Sequence, residues 1–197
     1  MNTEIPIYML DITDSIEDDS QVDFIALVDR PAIQKNWNAF NKTQKFEVTN
    51  EDRRIISGAI MLADTPIFRS DATYGDYYVA FSRDTILKIV QKFFKKGFQS
   101  NVNLMHNSNA QFEGVTLFES FISDKTRGIM PMKGFEDAPE GSWFGSMIVD
   151  NDDAWAKVKS GEIMGFSVEG LFTYKPKEVN KVASMVDAIK KILSQVK

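Results

Sequence analysis

Gly165-Phe166-Ser167-Val168-Glu169-Gly170-Leu171-Phe172 is the stretch that decides how this chain is read. Strand alternation sends Met164, Phe166, Val168 and Phe172 to one face and Ser167 to the other, so a small hydroxyl stands opposite a set of core side chains. The flanking Gly165 and Gly170 leave room for a second backbone, as an extended peptide provides, and free amides there can donate to an oxyanion. The plainer alternative is a serine on the solvent face of an edge strand, with glycines that mark bulges.

Upstream of this strand (Ile163 to Phe172), Asp150 or Asn151 can cap a short helix carrying Trp155 and Val158 that stops at Gly161. Further strands are predicted at Ile5 to Leu10, Val22 to Val28, Arg54 to Leu62, Tyr77 to Phe81, Val102 to His106, Val115 to Ile122 and Trp143 to Val149. Ser82 can cap a second helix whose Ile86, Leu87, Val90, Phe93 and Phe94 recur at helical spacing before Gly97. Pro31 and Gln34 to Thr43 mark a loop or edge crossing, Asn107 to Gly114 a loop, and Gly128 to Gly141 a loop able to cover a site. Beyond Pro176, Val179, Val182, Val186, Ile189, Leu193 and Val196 trace the apolar stripe of an amphipathic helix. The class is α+β, dominated by strands.

Composition narrows the function. The chain has 197 residues, 43% of them hydrophobic, enough for a real core. No apolar run approaches the roughly 20 residues of a membrane span, and no signal peptide opens the chain, so a soluble, intracellular protein without membrane partners is expected. Zero cysteines exclude disulfides and thiolate catalysis, and a single histidine leaves no cluster for a transition metal, so no cofactor or metal is expected. Net charge of −5 disfavours nucleic acid, although Lys92, Lys95 and Lys96 form a small basic patch. The acidic clusters Asp18-Asp19 and Asp150 to Asp153 lack the glycine and terminal glutamate of a calcium loop and are read as turns and a cap.

A nucleophilic Ser167 needs a base near neutral pH, and the candidates are His106 or a desolvated lysine. His106 ends a strand at a polar loop, a common address for functional groups and equally one for a structural histidine. For the third group Glu119 ranks first, because it shares strand parity with Val115, Leu117 and Phe121 and could meet His106 if the neighbouring strands pair. A salt bridge from Glu119 to a lysine or arginine is the alternative. Asp124 and Glu169 rank behind it; Glu169 lies two residues past the serine on the same face.

Taken together, Val102 to Asn107, Gly114 to Ile122, Trp143 to Val149 and the helix leading into Gly165-Phe166-Ser167 resemble the prohead protease family of tailed phages, in its defective-prophage subgroup. Ala26-Leu27-Val28-Asp29-Arg30-Pro31-Ala32 resembles the subgroup's N-terminal signature. His106, Gly114 and Ser167 fall on the family's pattern, with Ser167 lying 61 positions after His106. The resemblance implies a fold like the herpesvirus assembly protease, a mainly antiparallel β-barrel-like core ringed by a few helices. It implies a protease domain over 1–176 and an amphipathic helical tail over 177–197 that tethers the enzyme to scaffold. The implied activity is a serine endopeptidase that cuts scaffold and capsid precursors during capsid maturation, inside the assembling prohead in the host cytoplasm, with self-cleavage and homo-oligomerisation left open. The herpesvirus enzymes use two histidines, which this chain cannot supply, so its third member must be acidic or absent. Two other readings stand beside it: a noncatalytic capsid or scaffold-associated protein that keeps the fold, and a peptide-binding module.

Overall fold

The computed structural model describes residues 5–29, 45–73 and 75–176, with 108–110 as backbone only. Their strands, in chain order, are β1 (Ile7–Asp11), β2 (Gln21–Val28), β3 (Glu47–Asn50), β4 (Ile55–Met61), β5 (Ile67–Asp71) and β6 (Gly75–Phe81). Then follow α1 (Arg83–Lys95), β7 (Val102–Leu104), β8 (Asn107–Gln111), β9 (Val115–Ile122), β10 (Trp143–Val149), α2 (Asp152–Ser160), β11 (Gly165–Leu171) and β12 (Thr173–Pro176).

Both helices form where local chemistry directs them. Ser82 Oγ accepts from the Thr85 N–H at 3.1 Å and starts α1, while Asn151 Oδ1 accepts from the Ala154 N–H at 2.9 Å and starts α2. Gly97 and Gly161 follow their C-termini with φ of 74° and 73°. α1 buries Ile86, Ile89 and Phe93, and Phe93 meets the fully buried Trp143 edge-to-face at 5.5 Å. The basic patch expected on this helix does not exist as such. Lys92 is buried and its ammonium donates to the carbonyls of Asp18 (2.7 Å) and Ser20 (2.9 Å), which pins the segment between β1 and β2. Desolvation, with Lys96 nearby, pulls the Lys92 pKa below the ordinary lysine value. Lys96 itself bonds Gln21.

The described strands make three four-stranded sheets, β12-β1-β6-β5, β3-β4-β10-β9 and β11-β2-β7-β8, and all pairings except β1–β6 and β2–β7 are antiparallel. The architecture is therefore mixed α+β and mostly strand, but the expected barrel is not closed. Closure would need a continuous ladder, whereas β11 meets the β3–β4 sheet by packing, through Phe166 on Phe46, the residue before β3, at 5.2 Å, and the Phe46 N–H bonds the carbonyl of Met164, the residue before β11, at 2.9 Å.

The unexpected strands β3, β5, β8 and β12 are all sheet edges. Edge strands bury little, so Glu47–Asn50 and Thr173–Pro176 are exposed throughout and carry no apolar alternation. The strand expected to end at His106 stops at Leu104, and the polar run after it is β8 instead of a loop. The amphipathic helix read over 177–197 and the crossing at Gln34 to Thr43 lie outside the described residues. No described helix is long and apolar enough to cross a membrane.

Candidate active site

Ser167 sits mid-strand on β11, the outermost strand of its sheet, opposite Ala26 of β2, which in turn lies beside Asn103 of β7. The serine is 7% exposed and lines a cleft of about 320 Å³ where the three sheets converge. Ile60, Met61, Val79, Phe81 and Phe166 give the cleft apolar walls, Arg69 and Tyr174 add polar groups, and His106 and Glu169 line the same space.

His106 reaches the cleft from the two-residue connection between β7 and β8. Leu104 pairs with Asn107, and both residues between them take positive φ, 51° at Met105 and 59° at His106. Such a pair is the signature of a type I′ hairpin turn, normally built from asparagine and glycine. Holding two bulky residues there costs about 1–2 kcal/mol each, and strain of this kind collects at working sites. The Met105 N–H still bonds the Leu27 carbonyl at 3.1 Å, so the turn is anchored to β2.

Glu169 is the carboxylate that meets the imidazole. His106 Nδ1 lies 3.5 Å from Glu169 Oε2, and the same oxygen accepts from Asn103 Nδ2 at 2.8 Å. Plain strand alternation sets this aim, since Glu169 lies two residues past Ser167 on β11 in unbroken register with β2; the bulge comes just after it, where Gly170 faces Val22 and β2 carries the extra residue, Asp23. Gly170 is required by the bulge: a Cβ on it would stand 1.9 Å from the Gln21 carbonyl oxygen. The glycine therefore admits the chain's own neighbouring strand, where the sequence suggested a visiting peptide. Ser167 and His106 are not hydrogen-bonded to each other; contacts of this kind tighten when substrate engages.

Glu119 is not brought to His106, which corrects the expectation. β9 belongs to a different sheet from β7, and β7 pairs with β2 and β8. A bulge opposite Ser146 and Met147 makes Phe118 an extra residue, so the parity carried from Val115 and Leu117 slips and Glu119 is exposed. It forms no ion pair among the described residues. Asp124 caps a short turn by accepting from the N–H groups of Thr126 (3.0 Å) and Arg127 (3.2 Å), and the Thr126 bonds hold its pKa below the ordinary aspartate value. Of the residues sequence reasoning singled out, the structure thus gathers Ser167, His106 and Glu169 in one cleft. Asn103 was missed, although an asparagine between Val102 and Leu104 in a buried strand is an anomaly that could have marked it.

A family model described as "Putative phage serine protease XkdF" matches residues 42–175. The chain belongs to this family. No curated protein and no solved structure matches it. The matched span of this phage serine protease family takes in β3 to β11, and with them both the His106 turn and the Ser167 strand.

Proposed function

We propose that the chain is a serine endopeptidase in which Ser167 is the nucleophile, His106 the general base and Glu169 the carboxylate that orients the imidazole. The observation that carries this reading is the convergence of the three side chains on one cleft, with Glu169 Oε2 at 3.5 Å from His106 Nδ1. With Nδ1 taken up by the carboxylate, Nε2 is the nitrogen free to accept the Ser167 proton as the oxygen attacks a peptide carbonyl. The imidazolium so formed is stabilised by Glu169 and then protonates the leaving amine; water reverses the sequence to release the acyl group. Backbone amides of β11 or of a neighbouring loop hold the oxyanion, and the outer edge of β11 receives the substrate as an added strand.

Membership in the phage family supports a more specific role, cleavage of scaffold and capsid precursors inside the assembling prohead in the host cytoplasm. In this reading the fold is related to that of the herpesvirus assembly protease, residues 1–176 are the protease unit, and 177–197 form a helical tether to scaffold. Co-expression with the capsid or scaffold precursor tests it. Ser167→Ala and His106→Ala should abolish processing, Glu169→Gln should reduce it by roughly 10³–10⁴, and Glu119→Gln should leave it intact. Undiminished processing in Ser167→Ala or His106→Ala would overturn the assignment, and a precursor bound tightly but never cut would favour a peptide-binding module.

A further inference from the structure

We infer that Asn103 is a positioning residue that holds the Glu169 carboxylate against His106 and so selects the imidazole tautomer; the inference rests on the Ser167–His106–Glu169 reading above. Three observations converge on it. Asn103 is completely buried in the middle of β7, between the apolar Val102 and Leu104, where asparagine is a poor strand former. It lies in one row with Ala26 and Ser167 across three adjacent strands, and the fully buried Ala26 between them offers only a methyl group. Its Nδ2 donates to Glu169 Oε2, the oxygen that faces His106 Nδ1.

The other half of the carboxamide sharpens the point. Asn103 Oδ1 is buried without a hydrogen-bond partner, a liability that an apolar residue of similar shape would avoid. Stability alone therefore argues against asparagine here. Chemistry argues for it. A neutral donor fixes the carboxylate in place while leaving its charge available to an imidazolium; lysine or arginine would neutralise that charge, and aspartate would repel it. Glu169 has no other side-chain hydrogen bond among the described residues, and its side chain is 34% exposed. Without Asn103 the flexible glutamate is free to swing into water.

The single histidine makes the test direct, because its ring nitrogens give one unambiguous set of signals. Long-range ¹H–¹⁵N correlation on the full chain, at a pH where the ring is neutral, should show the Nδ1–H tautomer in wild type. In Asn103→Leu it should show a mixture shifted toward Nε2–H. Labelling of Ser167 by a fluorophosphonate should slow roughly tenfold or more, in line with other orienting partners, while the thermal midpoint holds or rises. An unchanged tautomer in folded Asn103→Leu overturns the proposal. Should that variant fail to fold, the wild type is compared with Glu169→Ala, a change at a partly exposed position. Loss of Glu169 should then free one Asn103 carboxamide proton to exchange with water, and an unchanged exchange rate overturns the proposal. The tautomer does not depend on turnover, so wild type that is inert to the phosphonate yet keeps an Asn103-dependent tautomer would refute the protease reading and leave the positioning role standing.

Discussion

Gly170→Ala is the substitution whose cost the structure specifies best. An ideal Cβ at this position would lie 1.9 Å from the Gln21 carbonyl oxygen and 2.8 Å from both the Gln21 carbonyl carbon and Val22 Cα, where side-chain carbons essentially never come closer than 3.0 Å. The obstacles are backbone, so no rotamer relieves them, and β11 must move off β2 by about 1.1 Å to reach even that limit. Overpacking of this kind costs about 1–3 kcal/mol. Prying open the bulge also weakens the flanking ladder at Glu169–Phe24 and Leu171–Gln21, at about 1 kcal/mol per net hydrogen bond. A loss of about 3 kcal/mol is therefore expected, which at a urea m-value of about 2 kcal/mol/M lowers the midpoint by roughly 1.5 M. Urea unfolding followed by tryptophan fluorescence measures it, with Gly161→Ala as the control. Gly161, unlike Gly170, has positive φ (73°), but nothing lies within 4 Å of its would-be Cβ, so only about 1 kcal/mol of backbone strain is at stake there. Because Glu169 directly precedes Gly170 on β11, folded Gly170→Ala should also label more slowly at Ser167. A Gly170→Ala protein no less stable than Gly161→Ala would refute the reasoning.

Other expectations concern charge and core. Burial, together with the charge of Glu169, raises the Asp23 pKa, so its ionisation opposes folding as pH rises through that value. Asp23→Asn should thus raise the urea midpoint at pH 7, and the gain should vanish below about pH 4; a pH-independent difference would contradict this. Burial pushes the Asp11 pKa up, but the Lys175 hydrogen bond (2.7 Å), the Ile12 N–H and the charges of Lys88 and Lys175 outweigh it and leave it lowered. Its contribution is present above the ordinary carboxylate range and is lost as pH falls through the lowered value. Asp11→Asn should therefore cost at most ~1 kcal/mol at pH 7, with the difference from wild type shrinking on acidification. Phe93→Ala, which empties the contact with Trp143, should cost about 3–5 kcal/mol in the same unfolding assay.

How much could be read beforehand depended on the range of the interactions. The caps at Ser82 and Asn151 bond to N–H groups three residues away, so both helices were legible with their start points. The long strands β2, β4, β9, β10 and β11 were legible because each buries enough apolar side chains to leave a pattern. The edge strands β3 and β12 are exposed throughout and β5 is half-buried only at Ile67 and Phe68, so they left none. Glu119 was misplaced by extending strand parity through a bulge, which no local signal announces. Lys92 was misread as surface because the carbonyls that bind it come from a loop more than 70 positions away.

Composition and pattern by themselves determined that this is a mixed, strand-rich chain with one histidine, no thiol and a serine facing away from the apolar side of its strand. Those properties depend on residue identity and on spacing within a dozen positions. Which carboxylate meets His106 was decided only by tertiary structure. The answer required β11, β2 and β7 to lie side by side, so that Asn103 and Glu169 meet across β2, and a strained turn at Met105–His106 to bring the ring to the same cleft. The strand pairings join segments far apart in the chain, and the free energy that selects them comes from burying whole faces together, not from any residue alone.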